Sequence, residues 1–337
     1  MKSQYLCKNT FKLFPNSFLR LLPNFHKIVY SMKNIELPPI IKALRPNQWI
    51  KNLILYSAII FNGKLFDPSY FLLTSIGFVI FSALSSSSYL FNDIIDLKFD
   101  KLHPIKKKRP LAAGLIQLNH AAEMAYLLTF FGLIAALFIS VNFLFVAATF
   151  VLIHILYSLS FKKYAVLDIF GIAFSFILRA YAGEVLTSYH LPFWLFMTIM
   201  FVALFVATTK RHAELLHKGT LTRPTLYQYR ERLLDSYTSM FGSASILAYS
   251  LFTFLEEPPQ FNAPIKQFLI NVLPGAIDRK WMIISIPFMV YGLMRYAQVA
   301  YEGAEAEQPE KIVTKDVPLI VAILGWGITM IMILYIL

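Results

Sequence analysis

The run Asn92-Asp93-Ile94-Ile95-Asp96-Leu97-Lys98-Phe99-Asp100 sets three carboxylates where a strongly apolar stretch ends, and Lys106-Lys107-Lys108-Arg109 follows at once. On a helix Asp93, Asp96 and Asp100 stand at i, i+3 and i+7, so all three point the same way and their oxygens can converge on one hard cation. With the basic residues beside them, the expected chemistry is a magnesium ion carrying a substrate's pyrophosphate at a membrane surface. The plainer alternative is a solvated helix end with ordinary charges.

The elements that position this cluster are apolar. Hydrophobic residues make up 57% of the 337 and charged residues 15%, with a mean hydropathy of +0.59, more apolar surface than a soluble core needs. About nine segments approach the roughly 20 apolar residues of a span: 50–66, 70–91, 119–139, 141–160, 166–187, 191–209, 236–255, 281–300 and 317–337. The first is the weakest, interrupted by Asn62, Gly63 and Lys64, and is expected to be bent or partly re-entrant. The predicted fold class is therefore all-α, a polytopic membrane protein.

Of the 31 Lys and Arg, 26 fall in the N-terminal segment, in the loops after segments two, four, six and eight, or, as Lys51 and Arg295 do, in a segment near one of these parts. By the positive-inside rule these parts and the carboxylates face the cytoplasm and the C-terminus lies outside. The net charge of +12 is then one-sided, suited to anionic headgroups or phosphate substrates. No nucleic-acid motif or stacking platform accompanies it. Residues 1–44, with scattered cations and early prolines, read as a basic cytoplasmic extension before a membrane domain of 45–337, and Met32 offers an alternative start. The lone Cys7 argues against a metal-thiolate site. Residues 256–280 read as an external loop.

Further charges line the basic side. Arg45-Pro46-Asn47-Gln48-Trp49-Ile50-Lys51-Asn52 reads by itself as an aromatic belt with snorkelling cations. Tyr157 stands at the end of the fourth segment and Lys162 just after it, and Asp168 opens the fifth, where a carboxylate is expensive without a cation or metal. Arg179 lies near the middle of that segment and must face protein or a wet cavity; substrate phosphate and pairing with another helix both remain open for it. After the sixth segment, Lys210 and Glu214 form an i, i+4 pair beside Arg211. His212 lacks a second ligand at zinc spacing and reads as a surface or interface histidine.

Asn92-Asp93-x-x-Asp96-x-x-x-Asp100 in a chain of about nine helices resembles the UbiA superfamily of membrane prenyltransferases. Arg45-Pro46-x-Gln48-Trp49-x-Lys51-Asn52, Tyr89-Leu90-x-Asn92-Asp93, His103-Pro104-x-Lys106 and Arg109-Pro110-x-Ala112-Ala113-Gly114 are similar to its decaprenyl-phosphate phosphoribosyltransferase branch. So are Leu178-Arg179-Ala180, Lys210-Arg211-x-Ala213-Glu214, Ser236-Tyr237-Thr238-Ser239, Arg295-Tyr296-Ala297 and Pro309-Glu310. Aromatic prenyltransferases carry a second Asp-rich motif where this chain has Lys210-Arg211-His212-Ala213-Glu214, and two cations there suit an additional phosphate.

The resemblance implies a helical bundle around a central cavity. It also implies transfer of phosphoribose from 5-phosphoribosyl 1-diphosphate to a polyprenyl phosphate, releasing pyrophosphate, in a bacterial cell membrane and in the service of the cell envelope. Magnesium (Mg2+) would be held by Asp93 and Asp96 with help from Asn92 and Asp100. Lys51, Lys106, Arg109 and Lys162 would take phosphate groups, as would Lys210 and Arg211 beside Glu214. Tyr157 would bind a hydroxyl or phosphate oxygen, and Asp168 the metal, ribose hydroxyls or Lys162. A membrane homo-oligomer is a further implication. Two other classes stay open at this point: an aromatic prenyltransferase using a polyprenyl diphosphate, and a transporter or lipid-binding protein without chemistry.

Overall fold

The computed structural model describes residues 37–103, 106–218, 228–257, 280–302 and 309–335. The chain runs α1 (Pro39–Leu44), a 3-10 helix (Pro46–Tyr56), α2 (Ser57–Phe61), α3 (Pro68–Ile95), α4 (Leu97–Leu102), α5 (Leu118–Ile139), α6 (Val141–Leu159), α7 (Leu167–Thr187), α8 (Phe193–Lys218), α9 (Glu231–Leu255), α10 (Ile286–Glu302), α11 (Pro309–Lys315) and α12 (Val317–Tyr335). Cys7, Met32, Pro104 and most of the expected external loop lie outside the described residues.

Local chemistry sets the helix starts. Asp67 accepts from the Ser69 N–H at 3.0 Å with Pro68 in the first turn of α3, and Ser140 accepts from the Phe143 N–H at 3.0 Å to open α6, each satisfying an orphan donor. Among the described residues eight helical stretches are long and apolar enough to cross a membrane. They coincide with eight of the nine expected segments, and exposed apolar side chains such as Phe138 (85%) suit a hydrocarbon solvent. The fold is an all-α membrane bundle.

The segment at 50–66 differs in helix type. Eleven residues, Pro46–Tyr56, form a 3-10 helix, whose rise of about 2.0 Å per residue extends them over roughly 22 Å. The five residues of α2 add about 7 Å. Together they reach about as far as the 30 Å hydrocarbon core, so the irregularity expected here is an overwound helix that carries few residues across a long distance.

Three of four consecutive serines knit α3 to its neighbours. Successive residues of a helix are turned by about 100°, so each hydroxyl meets a different partner. Ser85 takes a bond from Arg179 of α7 at 3.3 Å. Ser86 donates to the Leu44 carbonyl and accepts from Trp49 Nε1, both at 2.9 Å. Ser87 donates to the Ala125 carbonyl of α5 at 2.7 Å, and Ser88 to Leu84 of its own helix. Trp49 thus points its indole N–H inward, not to a lipid belt.

Helix α7 stands between two cores. Leu178, Ala182 and Leu186 pack with Phe81, Leu84, Phe143 and Phe150 on one side, while Ala180 joins Ala58, Phe61, Tyr249, Phe252 and Met330 on the other. Gly183 lets it approach the 3-10 helix. A Cβ there would lie 2.1 Å from the Leu55 carbonyl oxygen, a backbone atom that cannot swing away. Gly183→Ala is expected to lower the melting temperature of the purified protein through an overpacking cost of roughly 1–3 kcal/mol; an unchanged melt would show that the helices are free to separate.

Candidate active site

The charged ends of α3, α4, α6, α7, α8 and α11 meet at one end of the bundle. Helix α3 stops at Ile95 and Asp96 forms the junction with α4, so the uninterrupted helix expected through Asp100 is broken. The consequence is a division of the carboxylates. Asp93 and Asp100, both buried, share Nη1 of Arg109 at 2.8 and 2.5 Å, and Arg45 adds a second guanidinium on Asp93 while lying over the Tyr89 ring. Asp96 turns instead to Lys162 Nζ at 2.5 Å and accepts from Asn92 Nδ2 at 3.2 Å. The three acids do not converge on one point. Burial pushes the Asp100 carboxyl up, and Arg109, then Lys106, offsets part of that rise.

Behind this layer a cavity of about 180 Å³ runs into the bundle. Five cations line it, namely Arg45, Lys51, Arg109, Arg179 and Lys210, together with Asn92, His154, the hydroxyls of Ser88, Tyr89, Tyr157, Ser158 and Ser175, and the apolar Ile153, Ile172, Phe176 and Val206; among the described residues its lining contains no carboxylate.

Lys210 and Arg211 part company, because adjacent helix positions face different ways. Lys210 lines the cavity. Arg211 is fully buried, with Nε 2.6 Å from Asp168 Oδ2, an ion pair to Glu214 and a 3.1 Å bond from Nη2 to the Tyr157 hydroxyl. Its charge is matched by two acids, so the phosphate role expected for Arg211 and Glu214 is not what this geometry offers; it holds Tyr157. Glu214 pairs with Arg211, three positions before it. Asp168 meets neither Lys162 nor the carboxylate layer: it takes the Tyr229 hydroxyl at 2.7 Å. Burial and then Asp168 push the Tyr229 phenol up, keeping it a neutral donor. The same oxygen accepts the Val166 N–H at 2.6 Å, holding a β-branched residue at φ 68°, where such residues are strained.

Lys51 is tethered from a distant part of the chain. Glu310 of α11 lies 3.5 Å from Lys51 Nζ and accepts from Gln48, which in turn accepts from Lys51. Burial alone would push the Glu310 carboxyl up, yet Lys51, then its own helix, Lys210 and Gln48 more than offset that and hold it below the ordinary carboxylate range.

Arg179 has no carboxylate partner among the described residues. Nε donates to Asn52 Oδ1 at 2.6 Å, Nη1 to the Ser175 carbonyl and hydroxyl at 2.7 and 3.0 Å, and Nη2 to Ser85, with the Phe150 and Phe176 rings beside it. The pairing with another helix is made through dipoles. His212 is an interface histidine, 3.5 Å from Asp235 and edge-on to Tyr301. Lys106 lies in a short turn near Asp100. Sequence reasoning missed Arg45 and Glu310 as site residues, although both stood in motifs, and missed His154 and Tyr229, which carry no local signal.

The donor set suits magnesium. Asp93, Asp96 and the Asn92 amide offer hard oxygens at the cavity mouth. Among the described residues no three His, Cys, Asp or Glu side chains form a cage; magnesium ordinarily takes one or two carboxylates and completes its shell with water and substrate phosphate.

Two outcomes follow for variants. Arg211→Met leaves Asp168 and Glu214 buried without their cation and is expected to cost roughly 3–5 kcal/mol, read as a fall in melting temperature; normal stability with a raised KM would make Arg211 a phosphate ligand instead. The depressed Glu310 carboxyl stabilises the fold fully above its ordinary value and loses that contribution as pH falls through the folded value. Melts taken from neutral to acid pH should therefore show a step in wild type that Glu310→Gln lacks.

The model of the UbiA prenyltransferase family matches residues 53–308. The decaprenyl-phosphate phosphoribosyltransferase of Mycolicibacterium smegmatis is 32% identical over 295 residues, covering 85% of this chain and 89% of the relative. The enzyme of that name from Corynebacterium glutamicum is 31% identical over 310 residues, covering 88% and 86%. In structure, a UbiA homolog from Archaeoglobus fulgidus bound to GPP and Mg2+ superposes with a TM-score of 0.62 at 17% identity, covering 87% of this chain and 96% of that one, a likeness of fold. With the family match spanning most of the membrane bundle, the chain belongs to the UbiA prenyltransferase family.

Proposed function

We propose that this protein transfers 5-phosphoribose from 5-phosphoribosyl 1-diphosphate to a polyprenyl phosphate and releases pyrophosphate. The observation that carries the reading is the cavity wall, in which, among the described residues, five cations and several hydroxyls stand without a carboxylate and outnumber the apolar side chains. An isoprenoid diphosphate needs an apolar tunnel behind one diphosphate site. A pentose with phosphate at both ends needs cations and hydroxyls along its length. Relatives about 30% identical over most of the chain bear the name of this activity.

In this reading Asp93 and Asp96, with Asn92, hold magnesium, which when bound neutralises charge on the pyrophosphate. Arg45 and Arg109, already beside Asp93, bind pyrophosphate oxygens, and Lys162 fixes Asp96. Asp100 acts on Arg109 and contributes no ligand. Lys51 and Lys210 take phosphate oxygens, each near Glu310, and Tyr157 is steadied by Arg211 against the sugar. The C1–oxygen bond to pyrophosphate breaks with its electron pair leaving on pyrophosphate, and a lipid phosphate oxygen forms the new C1–oxygen bond. That oxygen is already anionic, so no residue is required as a base; positioning and electrostatics lower the barrier. Residues 45–337 form the catalytic domain, the charged end faces the cytoplasm by the positive-inside rule, and the polyprenyl tail lies between apolar helices.

Detergent-purified protein incubated with labelled 5-phosphoribosyl 1-diphosphate, magnesium and a polyprenyl phosphate should move label into the organic phase. Asp93→Asn or removal of magnesium is expected to reduce this by about 100-fold or more, the scale of a lost electrostatic contact in the transition state. Folded protein that transfers no label to any lipid length, but prenylates an aromatic acid from a polyprenyl diphosphate, would overturn the reading.

A further inference from the structure

The inner end of the cavity differs from its mouth in how charge is balanced. At the mouth each cation has an acid: Arg45 and Arg109 have Asp93 and Asp100, and Lys162 has Asp96. Arg179, at the inner end, is held among the described residues only by neutral oxygens and two aromatic rings. It is 1% exposed, so little water damps its charge, and a guanidinium buried without a counter-ion is costly unless a ligand supplies one.

His154 stands at the same end. Its ring centroid lies 4.5 Å from that of Phe150, tilted by 60°, and Phe150 also faces Arg179; the His154 Nε2 is buried with no hydrogen-bond partner among the described residues. Both Arg179 and Lys51 act on it electrostatically. An unsatisfied imidazole nitrogen beside an uncompensated guanidinium is an expensive pair to keep inside a bundle. Depth can be read from helix α3: Ser85, which takes a bond from the Arg179 guanidinium, precedes Asp93 by eight residues, which puts the guanidinium roughly 12 Å below the carboxylate layer.

We propose that this inner end is a second anion seat, built for a phosphate monoester that supplies the counter-charge of Arg179, with His154 as a hydrogen-bonding neighbour. The seat rests on the function proposed above, in which the reacting pair brings one such group besides the pyrophosphate on each partner: the 5-phosphate of the sugar and the phosphate of the lipid. Both have the same chemistry, and the pyrophosphate occupies the mouth in either case.

The test compares wild type with Arg179→Met, Arg179→Lys and His154→Leu. Calorimetry measures binding of ribose 5-phosphate and, separately, of a short polyprenyl phosphate to the detergent-purified protein, and steady-state transfer gives KM for each substrate. Arg179→Met is expected to weaken binding of one of the two monoesters by about tenfold or more, with the other within about twofold, and Arg179→Lys to recover part of the loss. His154→Leu, which leaves the hydrogen bonds of Arg179 in place, should weaken the same ligand by about threefold or more. Selective loss of ribose 5-phosphate assigns the seat to the sugar donor, and selective loss of the lipid assigns it to the acceptor. Unchanged affinity for both ligands in His154→Leu and in folded Arg179→Met overturns the seat. Should Arg179→Met fail to fold, His154→Leu decides by itself, and a parallel loss of both ligands with a lowered melting temperature also overturns the seat. Because the binding arms need no turnover, a wild type with an Arg179-dependent phosphate site but no transfer would preserve the seat and overturn the function.

Discussion

A charge inside an apolar bundle has to be met by an opposite charge, by aligned dipoles or by a ligand, because hydrocarbon supplies none of these. The charged end of this protein is arranged around that requirement. Asp93, Asp100 and Asp96 are met by Arg109, Arg45 and Lys162, and Arg211 by Asp168 and Glu214. These pairs leave the cavity wall itself cationic, since the acids that balance it sit behind or above it. An anionic substrate therefore enters a space whose charges are already oriented, and the cost of reorganising them at the moment of reaction is small.

The apolar part of the bundle makes this arrangement possible by bringing short-range order to a few crossings. Gly183 admits the backbone of Leu55, which seats the 3-10 helix against α7 and so places Asn52 on Arg179 and Lys51 in the cavity wall. The serine run of α3 distributes its hydroxyls around the helix so that the interhelical bonds of Ser85, Ser86 and Ser87 run in three directions. Apolar packing sets how close the helices come, and these polar contacts set their rotation. The two kinds of contact have to agree, or the cations at the helix ends would miss one another.

Several readings changed once the helices were packed. Asp93, Asp96 and Asp100 fit one helical face by spacing, but the break at Asp96 separates them into two ion-pair groups. Trp49 had the makings of an interfacial anchor and instead donates to Ser86. Lys210 and Arg211 looked like one basic unit, yet one lines the cavity and the other is sealed between acids. Glu310 lies 259 positions after Lys51 by residue number and reaches it only because α11 folds back over the 3-10 helix.

Hydropathy and the placement of cations were enough to establish an all-α membrane bundle with its chemistry at one end, since hydrocarbon demands long apolar helices and leaves charges to their ends. The charge cluster around Asn92 and Asp93, with the basic residues after it, was likewise visible, because such residue types are costly within the apolar spans and fall at their ends. Tertiary structure alone decided which cation meets which acid and which face water or substrate. Those choices depend on helix rotation and crossing, which are set by packing between residues far apart in the chain, and spacing along one helix carries no information about its neighbours.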